Sequence, residues 1–371
     1  MNMRKIAEVF PPGEFLKEEL EARGWSQIEL AEVLDRPPRV VSEIISGKRA
    51  ITPETAKGLG DAIGTGAQFW MNLESAWQLS KVKGGESSVA RRANLYSKYP
   101  VKDMIKRGWI RATDNLDVLE KQFMDFFSIT SINNEPAFPH AAKKTSYAHV
   151  SIQQMAWLWR AYRLAMSVQA AKFSSATLQA AIRELRACME DVEEIRKVPK
   201  ILARAGIRFV IVEALPSSKI DGVCFWLDKS SPVIALSLRF DKVDIFWHSL
   251  MHELDHIEHK EGMDEPVVDE ELGIGSEAQM PAAEVRANEN AADKLIPRDE
   301  LTGFIARVNP LFSEQKVMGF AKRMGVHPGI VVGQLQHRGL LAWAALNKFK
   351  EKVRPVLVSA VLTDGFGQIV Q

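Results

Sequence analysis

His252-Glu253-Leu254-Asp255-His256 brings together the residue types that metal-assisted hydrolysis needs. Imidazoles four residues apart share one face of a helix, one turn from each other. Both can bind a single zinc ion while the glutamate between them reaches a water on the metal as general base. The surroundings predict a helix over 245–259, with no Gly or Pro to interrupt it. Trp247, Leu250, Met251, Leu254 and Ile257 form one apolar stripe for packing, and His252 and His256 project to the opposite side. Four of the chain's eight histidines lie between His248 and His259. His248 and His259 flank the metal-facing side and read as a supporting layer or as solvent-facing groups.

Catalytic zinc takes three protein ligands and keeps a fourth position for water. The segment IEHKEGMDE supplies no third His in the spacing of the longer histidine-only motif, so a carboxylate from a following helix is expected. Glu284 is the candidate, in the helical run from Ala282 to Pro297. It shares a face with Ala287, Asn288, Ala291 and Leu295, and the small alanines permit a close approach to the histidine helix. Asn288 is a candidate for a supporting contact. The acidic residues Glu258, Glu261, Asp264, Glu265, Asp269, Glu270, Glu271 and Glu277 read as a solvated loop. No Tyr follows Tyr162, so an oxyanion-stabilising group would be His259, His327, His337 or an Arg, and the residues do not choose among them.

HELDHIEH followed by E-x-x-A-N-x-x-A-A-x-x-L-I-P resembles the ImmA/IrrE-type metallopeptidases. The resemblance implies that Glu284 is the third zinc ligand. This chain departs from the family pattern at Asp255, where Gly is common, and at Asn290, where an aromatic is usual. The run Pro328 to His337 is similar to the tail of long fused members of that family.

The first eighty residues follow a different pattern. Ser26 is an N-cap for a helix from Gln27 to Leu34, with Glu29 completing a capping box. Asp35 to Pro38 is a turn, and a second helix from Arg39 to Ile45 stops at Gly47. Two short helices joined by a tight turn describe a helix-turn-helix. PPGEFL, SQIELA, ISGKRAITPETA and FWMNLE resemble a HigA-type antitoxin of the xenobiotic-response-element class. That resemblance implies a phosphate contact for Gln27 and a major-groove face formed by Arg39, Val40, Ser42 and Glu43. Lys48 and Arg49 would hold the DNA backbone. Pro37-Pro38 stand where relatives place polar base readers. Residues 1–50 hold eight Lys+Arg against nine Asp+Glu, so strong non-specific DNA binding is not expected, and affinity must come from a local patch and from dimerisation.

A chain of 371 residues with 46% hydrophobic content suffices for two or three cores. The expected organisation is a multidomain chain. Residues 1–80 form an all-α helix-turn-helix domain, and 81–196 a basic linker and helical middle. An α+β zincin-like metallopeptidase domain spans 197–300, and a helical extension 301–371. Lys81 to Arg111 carries nine Lys+Arg against Glu86 and Asp103 and begins as a Gly/Ser-containing connector. Asn133 to Lys144 reads as a loop, and Met155 to Met166 as a helix whose aromatics belong to a core. Short β-rich runs at 207–213, 222–227 and 232–238 predict a small antiparallel sheet, and Val356 to Gln371 a terminal hairpin. A net charge of +1, two cysteines and no long apolar run or signal core lead to the expectation of a cytoplasmic protein.

The combined expectation is a DNA-binding regulator fused to a zinc endopeptidase. Its partners would be double-stranded operator DNA and a protein substrate, either a related helix-turn-helix regulator or its own linker. The chain would act as a homodimer. The alternative is an antitoxin or repressor, with a small toxin as partner, whose peptidase fold is a non-catalytic sensor.

Overall fold

The computed structural model describes residues 9–82, 87–136, 138, 150–263, 266–270 and 281–364. The chain divides into two compact units, Met1–Ser87 and Ser88–Gln371. Gly84 and Gly85, most of the loop expected up to Lys144, much of the acidic stretch and Gly365–Gln371 lie outside the described residues.

The first unit contains helices Pro12–Arg23, Gln27–Val33, Pro38–Ile45, Pro53–Ile63 and Ala67–Lys81. Ser26 Oγ accepts from the Glu29 amide at 3.2 Å and the Glu29 carboxylate accepts from the Ser26 amide at 2.6 Å, so the expected capping box is complete. Leu16, Leu30, Val41, Leu59 and Trp70 meet in its core. Glu74, from FWMNLE, accepts the Ile51 amide at 3.0 Å and so ties the last helix to the loop after Gly47.

The second unit is organised by one five-stranded sheet in the order β4-β2-β3-β1-β5. Its strands are β1 Arg208–Ile211, β2 Ile220–Trp226, β3 Pro232–Leu236, β4 Val267–Glu270 and β5 Leu362–Thr363. β2 runs antiparallel to β3 and β4, but β1 is parallel to both β3 and β5. The sheet is therefore mixed, not the antiparallel one the sequence suggested. Leu362–Thr363 joins the sheet edge beside β1, and Arg354–Leu357 is a helical turn; residues 365–371, which would supply the second arm of the expected terminal hairpin, lie outside the described residues. Asp364, just beyond β5, is buried. Its amide donates to Ile211 O at 3.1 Å and its carboxylate accepts from Arg107 Nη1 at 3.0 Å.

Strand residues alternate between two cores, as period-2 geometry requires. Val210, Val223, Phe225, Val233 and Ala235 face a core built with Leu119, Phe123, Trp157 and Leu158. Phe209, Ile211, Cys224, Ile234 and Leu236 face a second core with Trp247, Leu250, Leu254, Val331 and Leu335. Strands apolar on both faces need helices on both. The segments separated in the sequence reading at 81–196, 197–300 and 301–371 all contribute to this one unit for that reason. Helices Leu116–Phe127 and Ile152–Ser167 supply the cover on one side, and Trp157 Nε1 donates to Val212 O at 2.8 Å.

The basic stretch is correspondingly structural. Ser88–Lys98 and Val101–Lys106 are helices, Leu95 and Met104 are buried, and Arg91 is bridged to Asp117 and Glu120. Among the described residues no helix is long and apolar enough to cross a membrane.

Candidate functional site

The histidine helix spans Val243–Glu258 and its apolar stripe is buried as expected. Its other side is buried too: His252, Glu253, Asp255 and His256 are all fully enclosed. The next helix, Ala282–Leu295, lies against it through Ala287 and Ala291, both fully buried, and this close approach delivers Glu284. His252 Nε2 and His256 Nε2 are 2.9 Å apart. Glu284 Oε2 is 3.1 Å from the former, and Oε1 is 3.6 Å from the latter.

These separations bracket the edge of about 3.3 Å expected for a tetrahedral ion with ligands near 2.05 Å. Among the described residues the three form a group whose ligand atoms all lie within 4.8 Å of one another, close enough to share one ion. Two imidazoles and a carboxylate also match the donor preference of zinc. Burial would raise the Glu284 carboxyl, yet hydrogen bonds from His252 and His256 hold it well below the usual range.

Glu253 packs against the sheet. A Cβ built at Gly222 in β2 would overlap its Oε1, so a glycine is required where β2 shifts register between Ile220 and Gly222. The general-base candidate is thus set against a strand backbone, on the helix that carries both histidines.

Around the trio lies a layer that sequence reasoning missed. Glu261, read as part of a solvated acidic loop, instead brings Oε2 to 2.6 Å from His256 Nδ1. The same oxygen accepts from Arg286 Nη2 at 2.6 Å. Burial opposes ionisation of Glu261, but Arg286 and His256 hold its carboxyl below the ordinary value. An ionised carboxylate can only accept, so Glu261 keeps a proton on His256 Nδ1, and Nε2 would be the nitrogen that offers its lone pair to a bound metal. A carboxylate five residues after the second histidine was the available signal, hidden among neighbours of the same type.

Asp255 and Asn290, the two positions where the sequence departs from the pattern it resembles, are partners. Asn290 Nδ2 donates to Asp255 Oδ1 at 2.9 Å. Arg286 Nε and Lys294 Nζ donate to the same carboxylate at 3.0 and 3.1 Å. Burial would raise the Asp255 carboxyl, and these three donors overcome it and keep it low. Glu258 pairs with Lys294 at 2.9 Å, so it is not an idle surface charge.

Of the other histidines, His248 stacks between His252 and His337, with ring centroids 6.4 and 6.3 Å away. His259 is hydrogen-bonded to Asp255 O at 2.8 Å. His327 caps the helix Pro328–His337 by accepting from the Gly329 amide at 3.1 Å. Asn288 is half-buried on the helix that carries Glu284.

In the first unit, Gln27 is exposed at the start of its helix, and Arg39, Ser42, Lys48 and Arg49 are exposed as well. Val40 is half-buried against the core, and Glu43 is half-buried. Glu43 is bound on both sides: Oε1 accepts from Arg39 Nε at 2.7 Å and Oε2 from Arg49 Nε at 2.9 Å. Those two arginines hold its carboxyl below the ordinary value. Pro37 and Pro38 occupy the N-cap and first helical position, where proline's fixed φ suits the entry.

Comparison with known proteins bears on this unit. Residues 16–70 match a family described as helix-turn-helix. YddM, an uncharacterized helix-turn-helix-type transcriptional regulator of Escherichia coli, is 35% identical over 79 residues, which cover 21% of this chain and 84% of that protein. Virulence-associated protein I of Dichelobacter nodosus is 37% identical, covering 21% and 73%. A solved structure of an addiction module antidote protein of a HigA family from Coxiella burnetii is 38% identical over 19% of this chain and 79% of that one, with a TM-score of 0.19. The Ser26-capped helix, the proline-led second helix and this 35% identity over most of a relative's length converge: through its first unit, the chain belongs to the helix-turn-helix family of transcriptional regulators.

Proposed function

We propose that the protein is an operator-binding regulator whose second unit is a zinc-dependent endopeptidase. The observation that carries the second half is the convergence of His252, His256 and Glu284 within 4.8 Å beside Glu253. His252 and His256 would hold zinc through Nε2 and Glu284 through its carboxylate. A bound zinc supplies a polarised water and a Lewis acid for the scissile carbonyl. Glu253 would take the proton of the attacking water and return it to the leaving amine, which turns two proton transfers over to one positioned carboxylate. Its enclosure against Gly222 keeps bulk water from competing for that proton.

In the first unit, Arg39, Ser42 and Glu43 would face the major groove, while Gln27, Lys48 and Arg49 hold phosphates. The substrate class is a regulator of the same DNA-binding type or this chain's own connector near residue 87. The active form would be a homodimer on a paired half-site.

The complete burial of His252, Glu253 and His256 favours a second reading, in which the centre is a closed sensor and the chain acts as a repressor or antitoxin with a small toxin partner. Elemental mass spectrometry and cleavage assays separate the two. One zinc per chain, lost in His252→Ala and Glu284→Ala, is expected under both. Glu253→Gln should keep the metal, and it abolishes regulation only if cleavage is the output. A folded wild type without metal overturns the peptidase reading.

A further inference from the structure

We propose that Glu261 is a positioning residue for this centre, orienting His256 toward the metal and coupling that orientation to the helix that carries Glu284. The proposal rests on the zinc reading above, and it concerns a residue that neither the motif nor its spacing includes.

The turn holding Glu261 has little freedom. Its amide donates to His256 O at 2.9 Å, and its carbonyl accepts from Trp226 Nε1 at 2.9 Å and from Cys224 Sγ at 3.7 Å. Lys260 before it and Gly262 after it both have positive φ, 58° and 80°. A Cβ at Gly262 would fall 2.7 Å from Cys224 O, so the turn is pressed onto β2 as closely as a glycine allows. The backbone therefore delivers the carboxylate to one place.

At that place one oxygen, Oε2, meets two donors, His256 Nδ1 and Arg286 Nη2, each at 2.6 Å. Arg286 sits two residues after Glu284 on the same helix and also donates to Asp255. The guanidinium is permanently charged and planar, so its fork fixes both carboxylates in direction as well as in charge. Movement of the Glu284 helix would thus withdraw the third ligand and release the second together. Such outer carboxylates typically contribute 10- to 100-fold to metal affinity.

The test is the zinc affinity of the full-length protein, measured by competition with a chromogenic chelator at fixed pH, with cobalt spectra alongside. Glu261→Ala should bind one zinc roughly 10- to 100-fold more weakly, and its cobalt d–d bands should shift. Glu261→Gln, whose amide oxygen still accepts from Nδ1–H, should lose less, and Arg286→Ala should fall between them. A purely structural role would lower the urea midpoint of the metal-free protein and leave affinity and spectra alone. Should Glu261→Ala fail to fold, Glu261→Gln carries the test, with a several-fold loss expected. A wild type that binds one zinc beside folded variants of equal affinity overturns the positioning proposal alone. A wild type that takes up no zinc overturns the centre and this proposal with it.

Discussion

Glu43 holds Arg39 and Arg49 at once on the exposed surface of the first unit, and this restrains two charges that could otherwise meet phosphate. Each phosphate neutralised adds about 0.9 to the slope of log affinity against log salt. Glu43→Gln should therefore bind unrelated duplex DNA more tightly, with a slope steeper by up to about two. Fluorescence anisotropy across a salt series measures it, and an unchanged slope would mean the arginines are not held back. At the other site, Asp255 is fully buried among Arg286, Asn290 and Lys294. Asp255→Ala should cost about 1–3 kcal/mol in a urea titration of metal-free protein, since three donors lose the buried carboxylate they share. Its folded pKa lies below its unfolded value, so its contribution is present above about pH 3.9 and is lost as pH falls through the lower folded value. The variant should show a flatter acid limb. The chemistry of single residues was partly legible. Glu284 could be found because it repeats with Ala287 and Ala291 at helical spacing. Glu261 could not, because its partner is chosen by a left-handed turn and a sulfur and indole contact from β2, none of which has a local pattern.

The Glu284 helix shows how two stripes on one element divide the work. Glu284, Ala287, Ala291 and Leu295 form the face that closes on the histidine helix. Arg286, Asn290 and Lys294, also four apart, form the adjacent stripe, and all three end on Asp255. One carboxylate thus fixes the rotation and the slide of the helix that brings Glu284 to the two histidines. Helix boundaries could be read within a few residues because caps and glycines are local: Ser26, Gly47 and Pro328 all sit where the sequence put them. Strand direction could not. β1 and β3 are short apolar runs buried on both faces, and whether they run parallel is decided by the path between them through β2. The two-residue β5 carries no pattern at all, and buried Asp364 beside it does the anchoring that length would normally do.

At the scale of the molecule, the division falls near residue 87 and not at 196 or 300, because both faces of the sheet are apolar. This gives a direct test by truncation. Residues 88–371 expressed alone should be folded, with a cooperative thermal transition. Residues 197–371 should aggregate or stay molten, because Val210, Val223, Phe225 and Val233 lose Trp157, Leu158 and Phe123. At about 25 cal/mol per Å² of apolar surface, such a face is too costly to leave in water. A well-folded 197–371 would show that the middle helices are an accessory layer. The sequence reading drew its boundary where the residue pattern changed from helical to β-rich, but a change of pattern marks a change of layer as readily as a change of domain.

The pairing of β1 with β5 also sets an order of events. Glu213, next to β1, meets Asp364 across 151 positions of chain. A ribosome must translate all of that sequence before the sheet can acquire its last strand, whereas the helix-turn-helix unit closes on contacts made within its own first residues. Folding in proportion to contact distance then gives every nascent chain a long interval with a finished helix-turn-helix unit and an unfinished second unit. Premature termination upstream of residue 364 would release the first without the second.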